Sequence, residues 1–282
     1  YRTKVQDLRP IVSEFGLMKY RVEVECAWVL FLSRNAGIKE FAPLSADDEA
    51  RVKAIAEDFD AKSAARIKTF EATTNHDVKA VEYFIKEAFA DRPSLHAVNE
   101  WIHFGCTSED INNTAYGLMI KNARELVLLP QMQALIATLN DLAQDNAELP
   151  MLSRTHGQTA SPTTLGKEIK NVAARLERQR QQLAETPILG KFNGAVGNFN
   201  AHAVAYPSLD WPALSEQFIA QLGLQNNPWT TQIEPHDYIA ELSHALMRFN
   251  QILLDFDRDI WSYISIDYFK QRKVEGETGS ST

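Results

Sequence analysis

Between Ile239 and Ile260 the apolar residues Ile239, Leu242, Leu246, Phe249, Leu253, Phe256 and Ile260 step by three and four without a break. That spacing draws one apolar stripe along a single face of an α-helix about six turns long. Only other long helices, lying beside it at a shallow angle, cover such a stripe, so the chain is constrained towards a bundle. A second seam, Leu165, Ile169, Val172, Leu176 and Leu183, keeps the same period. Ser108 to about Asn146 reads as a third long helix with a kink at Pro130. Ser161-Pro162 reads as an N-cap followed by a proline at the first helical position, opening the helix of the second seam.

The remainder is helical on a shorter scale. Leu17 to Ala36 is a strongly apolar helix stopped by Gly37. Ser45-Ala46-Asp47-Asp48 is a capping box ahead of the stripe Val52, Ile55 and Phe59. Asp77 to Ala90 carries Val78, Val81, Ile85 and Phe89 on one face and stops before Pro93. Ser94 to Phe104 reads as a further short helix, and Asp210-Trp211-Pro212 opens an outer one. Strand signals are confined to the neighbourhood of Ile188–Phe192. Glycine is scarce, 12 in 282 residues, which favours regular helix. The expected fold class is therefore all-α: an N-terminal helical domain over residues 1–107, then a long antiparallel helical bundle over residues 108–282.

With 29 basic and 37 acidic residues the net charge is −8, a poor match to nucleic acid, although local charge still permits an anionic small molecule. Cys26 and Cys106 cannot form a disulfide framework, which suits a reducing compartment. No window approaches 18 uncharged apolar residues, and Tyr1-Arg2-Thr3-Lys4 lacks an apolar signal region. The expectation is a cytoplasmic protein without a membrane or nucleic-acid partner. HExxH, CxxC and Walker-A patterns are missing from the sequence.

Several stretches fit no core pattern. Thr73–Asp77, Cys106–Asp110, Ser153–Gln158 and Thr230–Asp237 are polar and directly precede helices, while Phe192–Asn198 is glycine-rich. A helix start offers unpaired N–H groups and a positive dipole end, so each is either a simple cap or an anion site. Several together would suit a substrate bearing phosphate and carboxylate groups. The chain closes on Glu277-Thr278-Gly279-Ser280-Ser281-Thr282, a small polar run that reads as interrupted.

Six ordered stretches carry a resemblance: TTNHDVKAVEYF (73–84), HFGCTSEDINN (103–113), SRTHGQTASPTT (153–164), KFNGAVGNFNAH (191–202), TTQIEPHDYIAEL (230–242) and GETGSST (276–282). They resemble the bacterial adenylosuccinate lyase family within the fumarase/aspartase superfamily, and the likeness runs the length of the chain. It implies elimination of fumarate from adenylosuccinate and from the succinylated aminoimidazole-carboxamide ribotide of purine synthesis, without metal or redox cofactor. It also implies a homotetramer whose active sites are shared between subunits.

By the same resemblance, His156 matches the general acid and Ser280 the general base. Imidazole suits the first role because it exchanges protons near neutrality; a serine needs its loop to stabilise an alkoxide. Asn75, His76 and Asp77 match substrate contacts, Thr107 and Ser108 a carboxylate-binding pair, and Gln232 a nucleotide contact made from another subunit. Tyr1 matches the aromatic half of an Arg-Tyr pair. Read as residues alone, Asn75 or Asp77 is a helix cap and Thr107-x-x-Asp110 a capping box. His103, His236 and Lys79 are weaker candidates with structural roles, and His202 and His244 are structural. Two departures stand out: the family's Gly-Gln-Pro-Ala is Gly157-Gln158-Thr159-Ala160 here, and the chain ends before the family's Met-Pro-x-Lys-x-Asn-Pro. The latter implies a fragment that is inactive by itself, without the family's C-terminal part. The rival readings are another superfamily lyase (argininosuccinate lyase, aspartase or fumarase) and a non-catalytic helical scaffold.

Overall fold

A computed structural model describes residues 1–278 apart from Ala36, Ala42 and Lys273. The helices are α1 (Arg9–Val12), α2 (Glu14–Asn35), α3 (Ala46–Glu57), α4 (Ala61–Thr74), α5 (Asp77–Phe89), α6 (Pro93–His96), α7 (Ser108–Asn122), α8 (Leu129–Asp145), α9 (Leu165–Glu185), α10 (Asn200–Ala205), α11 (Trp211–Gln221) and α12 (Asp237–Ser265). Strands β1 (Pro150–Thr155) and β2 (Gln158–Thr164) form an antiparallel hairpin, and β3 (Leu189–Gly190) pairs in parallel with β4 (Gln225–Asn226). Contacts gather into two compact units, Tyr1–Leu128 with Pro187–Ile239, and Leu129–Thr186 with Ala240–Thr282.

The first unit is organised on α2. Trp28 packs its ring 4.7 Å from Phe192 and 4.9 Å from Phe218, and its indole N–H donates to the Phe104 carbonyl at 3.0 Å. Two charged residues of this helix, Arg21 and Glu25, are buried, so each needs a partner. Ser45 caps α3 as its sequence predicts, accepting from the Asp48 amide at 3.2 Å. Val78, Val81, Ile85 and Phe89 of α5 are all buried, again as their spacing predicts. Helix α4 escapes sequence reading because it buries only Ala64 and Ile67, too short a stripe to register; Asp60 caps it. The helix expected over 94–104 is not formed: it reduces to α6 and a 3₁₀ turn at Asn99–Trp101. Ile102 turns into extended backbone to bury its side chain while Trp101 stacks on Phe41 at 4.9 Å, so tertiary packing overrides local preference.

Helix α7 runs into α8 through a π-helical turn at Ala123–Leu128. The wide turn stands immediately before Pro130, where a proline deprives the α ladder of a donor and crowds the preceding carbonyl. The continuous stretch Ser108–Asp145 is, by length and composition only, long and apolar enough to cross a membrane. Its first turns bury Asp110, Asn113 and Thr114 among protein groups.

In the second unit α8 and α9 lie antiparallel. The Gly166 amide at the start of α9 donates to Asn146 near the end of α8 at 2.9 Å, and Lys170 reaches Asn140 at 2.6 Å. Ile169, Val172, Leu176 and Leu183 are buried as the seam predicts. Ser161 and Pro162, however, are no helix cap: both belong to β2, with Pro162 opposite Leu152. The cap is Thr164, whose Oγ1 accepts from the Lys167 amide at 3.2 Å. Thr-rich sequence and a two-residue reversal make a hairpin where a local Ser-Pro signature mimics a helix start. Along α12 the buried line is Leu242, Ala245, Phe249 and Ile252, rotated slightly from the predicted seam. Leu246, Leu253, Phe256 and Ile260 are partly covered, and Met247, Leu254 and Trp261 face outward.

Candidate functional site

Two helix starts in the first unit carry most of the predicted residues. Asn75 ends α4 in the left-handed conformation, φ 51°, its amide donating to the Glu71 carbonyl at 2.8 Å. His76 then caps α5: its Nδ1 accepts the Lys79 amide at 3.1 Å, which puts the proton of the neutral ring on Nε2. Asn75 is thus a helix cap, but the C-cap of α4; the N-cap of α5 is the histidine, not Asp77. Asp77 accepts Arg21 Nη2 at 2.6 Å, and the same guanidinium donates through Nε to Asn112 Oδ1 at 2.8 Å. Burial opposes ionisation of Asp77, but Arg21 outweighs it and holds the carboxyl below the ordinary range. One buried arginine therefore ties the start of α5 to the second turn of α7.

At α7 the capping box of Thr107 and Asp110 is formed, the Thr107 amide donating to Asp110 Oδ2 at 2.8 Å. Ser108 is the first helical residue. Asp110 is fully buried and also accepts the amides of Asn193 (3.1 Å) and Gly194 (3.1 Å) from the glycine-rich turn. Beside it lies Lys191, equally buried, with Nζ 2.8 Å from Asp110 Oδ1. Gln232 Nε2 reaches Thr107 Oγ1 at 3.4 Å within this one chain. Gly197 is pressed against the same loop: a Cβ there would sit 2.3 Å from the Thr230 carbonyl. The unit thus brings Thr107, Ser108 and Gln232 to one place and links them through Arg21 and Asn112 to Asp77.

Further histidines line these segments. His103 Nδ1 stands 2.6 Å from the buried Glu25; burial disfavours its charge, yet the carboxylate raises its pKa. His236 lies between Glu234 (3.3 Å) and Glu109 (3.6 Å). His202 is buried with neither ring nitrogen hydrogen-bonded, and desolvation lowers its pKa to about 4. Burial raises both thiols, Cys26 and Cys106, so neither is a ready thiolate nucleophile. Among the described residues no group of three His, Cys, Asp or Glu is placed to hold a metal ion.

His156 belongs to the second unit, at the tip of the β1–β2 hairpin. His156 (φ 50°) and Gly157 (φ 75°) are both left-handed, the backbone of the primed two-residue turns that suit strand twist. Its side chain is exposed. Tyr1 is exposed, and Ser280 lies outside the described residues. Sequence reasoning missed Arg21 and Lys191, and read Asp110 only as the capping partner of Thr107. A partial signal for the first was available: Arg21 and Glu25 stand one turn apart among the apolar residues Val22, Val24 and Cys26, though Lys19 and Glu23 nearby carry charge without full burial.

Comparison with known proteins places the chain among relatives. The family described as "Lyase" matches residues 1–282. The adenylosuccinate lyase of Escherichia coli (strain K12) is 57% identical over 282 residues, covering 100% of this chain and 62% of that protein. That of Legionella pneumophila (strain Corby) is 50% identical over 284 residues, again 100% and 62%. The chain therefore spans about three-fifths of the length of these curated relatives. Among solved structures, a fumarate lyase from Mesorhizobium sp. BNC1 superposes with a TM-score of 0.73 at 21% identity, covering 92% of this chain and 57% of that one. At that identity the likeness speaks for the fold alone, and it agrees with the all-α reading.

Proposed function

The chain belongs to the lyase family that it matches from residue 1 to residue 282, and on that premise we propose that it eliminates fumarate from adenylosuccinate, leaving AMP, and from the succinylated aminoimidazole-carboxamide ribotide. The observation that carries the reading is the pairing of two helix starts, at His76-Asp77 and Thr107-Ser108, through Arg21, with Gln232 beside Thr107. Helix starts favour anions, and this substrate offers two carboxylates and a phosphate.

The chemistry needs a base to take the proton from the succinyl Cβ, a carbon–nitrogen bond to break as the carbon–carbon double bond forms, and an acid to protonate the departing nitrogen. Negative charge grows on the carboxylate next to Cβ in the transition state, and the Thr107 hydroxyl with the amide and hydroxyl of Ser108 is suited to receive it, the Thr107 amide being held by Asp110. His156 is the acid and Ser280 the base. Asn75, His76, Asp77, Gln232 and Tyr1 bind the nucleotide and its succinyl group. The working form is a cytoplasmic homotetramer with sites shared between subunits. Met247, Leu254 and Trp261, exposed at seven-residue spacing on α12, support assembly through helix faces.

The test compares fumarate release by the full-length protein from adenylosuccinate, argininosuccinate, aspartate and malate. Adenylosuccinate turnover is expected, and His156→Asn lowers kcat by about 10²–10⁴-fold with helical content retained. Release from only one of the other three substrates overturns the choice of substrate. Turnover untouched by both His156→Asn and Ser280→Ala overturns the catalytic assignment.

A further inference from the structure

Lys191 uses all three of its ammonium donors on three different segments. Nζ lies 2.8 Å from Asp110 Oδ1 in the first turn of α7, and donates to the Gly194 carbonyl at 3.0 Å and to the Gln232 carbonyl at 2.9 Å. Its own backbone is held too: the amide donates to Asn113 Oδ1 at 2.8 Å, and the carbonyl accepts from Asn113 Nδ2 at 2.9 Å. A buried ion pair is often replaceable by apolar residues without loss of stability, so stability by itself does not account for a fully buried lysine. What an apolar side chain cannot do is grip a carbonyl. The gripped carbonyl belongs to Gln232, whose side chain meets Thr107, and Asn193 Nδ2 fixes the same loop by donating to Thr230 Oγ1 at 2.9 Å.

We propose that Lys191 is a positioning residue, which from outside the substrate's reach sets where Gln232 and Thr107 present their side chains. The proposal rests on the reading of those two residues as substrate contacts. Lys191 touches no substrate itself; it fixes the spacing between the cap of α7 and the 230–234 loop, so its loss loosens binding more than it slows the chemical step.

The test is a double-variant cycle in the full-length protein: Lys191→Met, Asp110→Asn, and the two combined. Each single variant strands one buried charge and lowers the thermal midpoint; the combined variant, with neither charge, recovers most of it. In the combined variant KM for adenylosuccinate stays raised by about tenfold while kcat changes by less than about threefold. Asp110→Asn, which keeps both carbonyl grips, raises KM less. Backbone amide exchange over 230–234 is faster in both Lys191 variants than in the wild type. A combined variant with wild-type KM and wild-type exchange over 230–234 overturns the proposal. A wild-type protein that releases no fumarate from adenylosuccinate overturns the functional reading instead, and the exchange data then decide the role of Lys191 without it.

Discussion

In the first unit Thr107 and Gln232 stand on a network of buried charge, where Asp110 and Lys191 have no exposed side-chain surface and bind five other backbone groups between them. In the second unit His156 stands on two left-handed residues and a ladder of strand pairs, with nothing crowding the turn: a Cβ on Gly157 would meet no atom within 4 Å. One region fixes its side chains through desolvated electrostatics, the other through backbone conformation. The two should therefore fail differently when altered.

The largest difference is expected from Asp110→Ala. It strands the Lys191 ammonium and leaves the amides of Thr107, Asn193 and Gly194 without their acceptor, a loss of about 3–5 kcal/mol in urea unfolding. A cost near that of a surface substitution would erase the distinction between the regions. A second expectation concerns acid. His202, buried beside this network within reach of the fields of Asp110 and Lys191, has its pKa lowered from 6.5 to about 4. The unfolded chain therefore takes up a proton below about pH 6.5 that the folded one refuses. Stability is fully present above that pH and falls by about 1.4 kcal/mol per pH unit down to about pH 4, roughly 3 kcal/mol in all. His202→Phe should flatten this limb in unfolding measured between pH 7 and pH 4, and an unchanged slope would assign the acid sensitivity elsewhere. The smallest effect belongs to the hairpin. Gly157→Ala should cost only about 1 kcal/mol, the backbone penalty of a left-handed alanine, because there is no clash to add. A much larger loss would mean that the tip is packed as tightly as the Lys191 network.

The same contrast explains what could be read in the sequence. The seam Ile169, Val172, Leu176 and Leu183 and the cap at Ser45 depend on residues a few positions apart, so spacing exposes them. The hairpin was hidden because Ser161-Pro162 carries a local signature of a helix start, while the strand register is decided by the His156-Gly157 reversal. The α12 seam came out rotated because neighbouring helices, not the period, select which apolar residues are covered. The polar stretches that hold Asn75, His76, Asp77, Thr107, Ser108, His156 and Gln232 stand out in the sequence as caps or anion sites, but the roles of these residues, and those of Tyr1 and Ser280, come only through a resemblance. Lys191 and Asp110 meet across a long separation in sequence, and no periodicity announces such a pair. Arg21 was only partly legible, because α2 carries other charges, Lys19 and Glu23, that stay partly exposed.

Among the described residues, three of the seven histidines, His103, His156 and His236, occupy left-handed backbone. An alanine scan of this chain would misattribute at those three positions. Each alanine removes an imidazole and also places an ordinary side chain where asparagine and glycine are at ease, so a drop in activity mixes lost chemistry with a displaced loop. Asparagine keeps the conformation and deletes the ring. At these histidines it is the substitution that separates what the side chain does from where the backbone puts it.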